Sequence, residues 1–191
     1  TTSGDADGDA PKEEQPPQVS ELLKVAEQGD APAQYNLGAM YANGLGVPED
    51  HAEAVRWYRL AAEQGYAASQ YNLGAMYDDG IGVPQDDVEA VRLYRLAAEQ
   101  GFADAQNNLG LMYASGLGVP VDQAEAVRWY RLGTAQGLAL AQYNLGLMYA
   151  SGLGVPVDQA EAVRLYRLAA EQGFADAQYN LGHMYASGLG V

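Results

Sequence analysis

Apolar residues fall at Ala33, Leu37, Met40 and Tyr41, a spacing that puts all four on one face of a helix. The run stops at Gly44-Leu45-Gly46-Val47-Pro48, where two glycines admit positive φ and proline bars continuation. A second apolar stripe follows at Ala54, Val55, Tyr58, Ala61 and Ala62, with Trp57 on its flank. Asp50 precedes this stripe as an N-cap, and Glu53 is placed to reach back to it as in a capping box. Gly65 closes it as a left-handed C-cap. The pattern predicts two antiparallel helices joined by a tight loop.

The pair then returns every 36 residues, with Gln34 recurring as Gln70, Gln106, Gln142 and Gln178. First helices are expected over 31–42, 67–78, 103–114, 139–150 and 175–186. Second helices are expected after Asp50, Asp86, Asp122 and Asp158. Ala26-Glu27-Gln28-Gly29 aligns with Ala62-Glu63-Gln64-Gly65, so Ser20 to Gln28 reads as a second half-unit, and the chain closes at Val191 on a first half-unit. Repeats that pack only on their neighbours make an all-α solenoid over 20–191, four full units flanked by two half-units. Gly38 recurs in mid-helix, where glycine costs about 1 kcal/mol against alanine, and so implies a backbone contact. Gly133-Thr134-Ala135 replaces the Ala-Ala-Glu of its siblings, which predicts the softest turn of the array.

Composition narrows the function. Residues 1–19 hold five acidic residues and three prolines, with Val19 their only apolar side chain larger than alanine, and are expected to be a disordered tail or linker. The net charge of −15 argues against nucleic acid and against an anionic membrane surface. No apolar run approaches the ~20 residues of a membrane span. With no cysteine, thiolate chemistry and cysteine-ligated metals are excluded. His51 and His183 occupy different repeat positions with no ligand-like spacing, so neither a metal site nor a general base is expected. The acidic group Asp78, Asp79, Asp86 and Asp87 does not match a calcium loop, since Asp86 serves as a cap. The Gly-x-Gly loops follow helices and lead to proline, unlike a phosphate loop. Every arginine lies at two positions of the second helix, beside glutamates such as Glu53 for Arg56 and Glu63 for Arg59, and reads as a solvated outer stripe.

The sequence Ala31-Pro32-Ala33-Gln34-Tyr35-Asn36-Leu37-Gly38-Ala39-Met40-Tyr41, then Gly44-Leu45-Gly46-Val47-Pro48-Glu49-Asp50, then Glu53-Ala54-Val55-Arg56-Trp57-Tyr58-Arg59-Leu60-Ala61-Ala62-Glu63-Gln64-Gly65, closely resembles the Sel-one-like repeat. That family is a branch of the tetratricopeptide-like α-solenoids. The resemblance implies a right-handed superhelix with first helices lining its concave side, and scaffold or adaptor duties, commonly in bacterial envelope and signalling complexes. No serine, histidine and carboxylate set converges in the sequence, so neither a catalytic residue nor a cofactor is expected. Some cysteine-rich relatives are linked to β-lactam binding or hydrolysis, a pattern the absence of cysteine breaks here.

Positions that differ between copies while the frame stays fixed are where a groove acquires a preference. The candidate partner-binding residues are therefore Tyr35, Asn36, Tyr71, Asn72, Asn107, Asn108, Tyr143, Asn144, Tyr179, Asn180 and His183. Tyrosine rings would stack on a bound protein or peptide, and asparagine amides would bond its backbone. The competing expectation for the same residues is packing between helices. The open faces at the two ends suggest head-to-tail self-association as an alternative role.

Overall fold

The computed structural model describes residues 17–190. Ten α-helices follow one another: α1 Pro17–Glu27, α2 Ala31–Asn43, α3 His51–Glu63, α4 Ala67–Asp79, α5 Asp87–Glu99, α6 Ala103–Ser115, α7 Gln123–Ala135, α8 Ala139–Ser151, α9 Gln159–Glu171 and α10 Ala175–Ala186. There is no strand among the described residues. The main helix packing runs in chain order, each helix against the next, which makes the chain a helical solenoid. Helix α1 opens ahead of Ser20 and buries Val19, so the array starts earlier than the composition suggested. Of the expected disordered tail over residues 1–19, residues 1–16 lie outside the described residues.

Local chemistry explains the ends. The carboxylates of Asp50, Asp86, Asp122 and Asp158 accept from the amides of Glu53, Glu89, Glu125 and Glu161. The reciprocal half of a capping box does not form. Each of these glutamates turns to the arginine three residues on, as Glu89 does to Arg92 at 2.6 Å, while the Asp86 amide donates to the Tyr77 carbonyl at 3.0 Å. In the loop, Gly118 has φ +65°, and a methyl there would collide with the Asp87 carbonyl of the preceding unit. The second glycine of the loop thus seats one unit on the helix start of the last.

The core is a string of clusters, each shared between adjacent units. Tyr94, Ala97, Leu109, Met112 and Trp129 belong to one of them, drawing on α5, α6 and α7. Mid-helix Gly110 answers a need beyond the backbone contact expected. A methyl there would stand 2.7 Å from Cε1 of Tyr130 and 3.2 Å from the Ala126 carbonyl oxygen, so glycine admits a tyrosine ring first and a close backbone second. Gly38, Gly74 and Gly146 receive Tyr58, Tyr94 and Tyr166 in the same way.

Two polar ladders complete the frame. In the first, Gln106 is buried, donates to the Ala98 carbonyl at 3.1 Å and accepts from the Gln136 amide at 2.8 Å. Gln34 and Gln70 make the same bracket with Ala26 and Gln64, and with Ala62 and Gln100. In the second, Arg59, Arg95, Arg131 and Arg167 donate to the hydroxyls of Tyr77, Tyr113, Tyr149 and Tyr185, each at 2.7–3.0 Å. The expected pairing of Arg59 with Glu63 is replaced by this bond to the next unit. The same substitution makes the loss of glutamate at Ala135 immaterial to Arg131. Tyr77, Tyr113 and Tyr149 are half-buried and Tyr185 is exposed, rather than core throughout.

Candidate functional site: the face of the first helices

Helices α2, α4, α6, α8 and α10 carry the candidate residues, and the structure divides them sharply. Tyr35 lies 5.9 Å from Tyr58 and 5.3 Å from Tyr66, centroid to centroid. Tyr71 sits likewise against Tyr94 and Phe102, and Tyr143 against Tyr166 and Phe174. These three rings join the two helices of their own unit to the next and are half-buried. Tyr179 is 76% exposed.

Asn107 stands at the tyrosine position and is only 2% exposed, so it is a packing residue and not a partner contact. Its carbonyl accepts from the Asn144 amide at 2.8 Å, and its own amide donates to Asn108 at 3.3 Å. Leu138 replaces the aromatic residue that would have met a tyrosine there, a pairing of changes 31 residues apart that sequence comparison of the copies could have revealed.

The asparagine row is half-buried beside the tyrosines of the second helices. Asn72 faces Tyr58, Asn108 faces Tyr94 and Asn180 faces Tyr166; each bond favours the ionised phenol but is outweighed by burial, which raises all three pKa values. Tyr166 is pushed up to about 12. Tyr130, burial alone acting on it, also reaches about 12. None of these phenols ionises near neutral pH, so they act as neutral donors and acceptors. Asn36 is exposed.

Between α2, α3 and α4 the same face opens into a cavity of about 290 Å³. Tyr58 and Asn72 line it, with Ala42, Ala75, Met76 and Ile81 as apolar walls and His51 and Asp79 beside them. The corresponding place between α8, α9 and α10 holds a cavity of about 250 Å³, lined by Tyr166, Asn180 and His183. His183 thus lines this second cavity. Sequence reading marked Ala75 only as one of the variable outward positions, and gave no part to Ile81 or His51 in this site. The signal was present in Ala75, which varies to Leu111 and Leu147 in its siblings.

The remaining candidates resolve simply. Asp86 is a cap, and Asp78 accepts from the Tyr94 hydroxyl at 3.1 Å. No group of three potential metal ligands comes together among the described residues, and no described helix is long and apolar enough to cross a membrane.

Comparison with known proteins agrees with this architecture. The Sel1 repeat matches residues 31–66, 67–102, 103–138, 139–174 and 175–191. A protective antigen of uropathogenic Escherichia coli with the Sel1-like fold is 46% identical, over 91% of this chain and 37% of that one, with a TM-score of 0.88. The chain therefore spans little more than a third of that antigen's length. A Sel1 repeat protein from Oxalobacter formigenes is 37% identical over 91% of this chain and 74% of its own, with a TM-score of 0.83. An immunity protein of Pseudomonas aeruginosa is 26% identical over 83% of this chain and 59% of its own, with a TM-score of 0.55. The search of curated proteins returned no match. Five matched repeats on a ten-helix solenoid place the chain in the Sel1 repeat family.

Proposed function

We propose that the chain is a non-enzymatic scaffold that holds a protein or an extended peptide along the face of its first helices. The observation that supports this reading is the division of labour within each repeat. Frame residues such as Gln106, Leu109, Gly110 and Met112 are consumed by packing. Positions 75, 111, 147 and 183 vary, and each remains at least partly exposed on the groove face. Asn36 is exposed there and Asn72 is partly so, leaving side-chain polar groups able to bond an extended backbone. Most first-helix tyrosines hold the groove's shape, so the asparagines and the variable positions make the contacts.

The test is selection of twelve-residue binders from a displayed random peptide library. Binders should lose about tenfold or more in affinity when Asn36 and Asn72 are replaced by alanine. They should keep it when Arg56 and Arg92, on the opposite face, are replaced. The reverse pattern would overturn the reading. A β-lactam hydrolysis assay with a rate above the blank would reopen the catalytic alternative.

A further inference from the structure

Resting on the groove reading, we propose that the cavity between α2, α3 and α4 takes one cationic side chain of the bound polypeptide, an arginine or a lysine. Its volume of about 290 Å³ is at the small end for pockets that enclose a whole ligand, and suits a single long side chain. The walls of Ala75, Met76 and Ile81 match an aliphatic stem, while charge and polarity decide the tip. No lysine or arginine lines the cavity, and Asp79, which does, has no ion pair among the described residues. Asp79 also raises the pKa of Asp78 beside it, below burial and the Tyr94 bond in importance, so the local field is negative.

His51 adds an independent requirement. Its Nε2 lies 3.2 Å from a Glu49 carboxylate oxygen, and its buried Nδ1 has no hydrogen-bond partner among the described residues. When the ring carries its single proton on Nε2, facing Glu49, Nδ1 is an acceptor for a donor that reaches it. Lysine and arginine tips are donors only. Among the five copies, only this one combines alanine at position 75 with aspartate at position 79; the others pair Ala39 with Asn43, Leu111 with Ser115, Leu147 with Ser151 and His183 with Ser187.

Ile81 is the sole isoleucine of the chain and lines the cavity, so a sample labelled at isoleucine methyls gives one NMR signal at the site. Blocked Gly-Gly-X-Gly-Gly pentapeptides with arginine, lysine, norleucine or glutamate at X are the probes. Arginine and lysine peptides should move the signal saturably. Norleucine, which keeps the stem and lacks the charge, should bind about tenfold more weakly, and glutamate should leave the signal in place. Ala75→Leu, which writes the sibling residue into the cavity, should abolish the shift. Asp79→Asn, at the surface and harmless to folding, should reduce the arginine peptide to the norleucine level. Equal binding of norleucine and arginine, or an unchanged preference in Asp79→Asn, overturns the cationic assignment. Library-selected binders that need Asn36 and Asn72 yet leave the Ile81 signal unmoved would sink the pocket and spare the groove. Loss of that asparagine dependence would sink the groove itself.

Discussion

Phe102 to Gly118 and Phe174 to Gly190 differ at only two positions, Asn107 against Tyr179 and Leu111 against His183, yet they live in different surroundings. Helix α6 is held between α5 and α7, whereas α10 packs mainly on α9. Leu109 is fully buried and Leu181 is half-buried. Gln106 sits in its two-sided bracket, while Gln178 is exposed and keeps only the bond to the Ala170 carbonyl. Gly110 receives a tyrosine ring, and Gly182 meets nothing within 4 Å. Burial in a repeat protein is therefore set by neighbouring units more than by a residue's own sequence.

Matched substitutions would break or sharpen that contrast, read as denaturant unfolding with the fluorescence of Trp129 beside α6. The largest gap is expected at the leucines. Leu109→Ala should cost about 2–5 kcal/mol, and Leu181→Ala about 1 kcal/mol or less. Equal losses would mean that α10 is packed as tightly as an interior helix.

Next come the glycines, where the two changes should differ in sign. Gly110→Ala should destabilise by about 1–3 kcal/mol as the Tyr130 ring is displaced. Gly182→Ala should be neutral, or stabilise by up to about 1 kcal/mol through helix propensity. A stabilising Gly110→Ala would refute the account of the mid-helix glycine.

The glutamines should separate by less. Gln106→Ala strands the Ala98 carbonyl and the Gln136 amide and should cost about 1–3 kcal/mol. The exposed Gln178→Ala should cost a few tenths of that.

The smallest effect concerns pH. Asp78 stands where the other copies have alanine, and burial raises its pKa above the ordinary 3.8, with the Tyr94 bond acting against it and Asp79 and Asp87 adding to it. The folded chain thus holds this proton more tightly than the unfolded chain. Its contribution favours folding at low pH and is lost as pH rises through the folded value. Asp78→Asn should therefore raise Tm by a degree or two at pH 7, with less than about 1 kcal/mol involved because the group is partly exposed, and the gain should vanish near pH 3. A gain that persists at pH 3 would point to packing and not to charge.

What could be read from the sequence was what is local. Helix limits followed from aspartate caps and loop glycines, whose partners lie three or four residues away, and they hold to within a residue for the first helices. The glutamine brackets were hidden because each partner lies 30 residues on, and a glutamine in mid-helix carries no mark of which carbonyl it will meet. Arginine partners were misjudged for the same reason. The helix offered Glu63 to Arg59 at i+4, and the fold offered the Tyr77 hydroxyl. Asn107 looked like a groove residue because its siblings are tyrosines with half-exposed rings. The shorter side chain drops into the space they fill. The cavity beside Ala75 needed three helices to exist at all.

The bracket that ties Gln136 to Gln106 is the one that ties Gln100 to Gln70, and neither involves a residue outside its immediate neighbours. A recombination event that inserts or deletes one block of 36 residues therefore restores the glutamine brackets it cuts. The face lengthens or shortens by one helix and the order of its variable positions changes, with no compensating mutation required. A gene of this kind can reorder the exposed positions of its product by copying errors alone, without a search through paired substitutions.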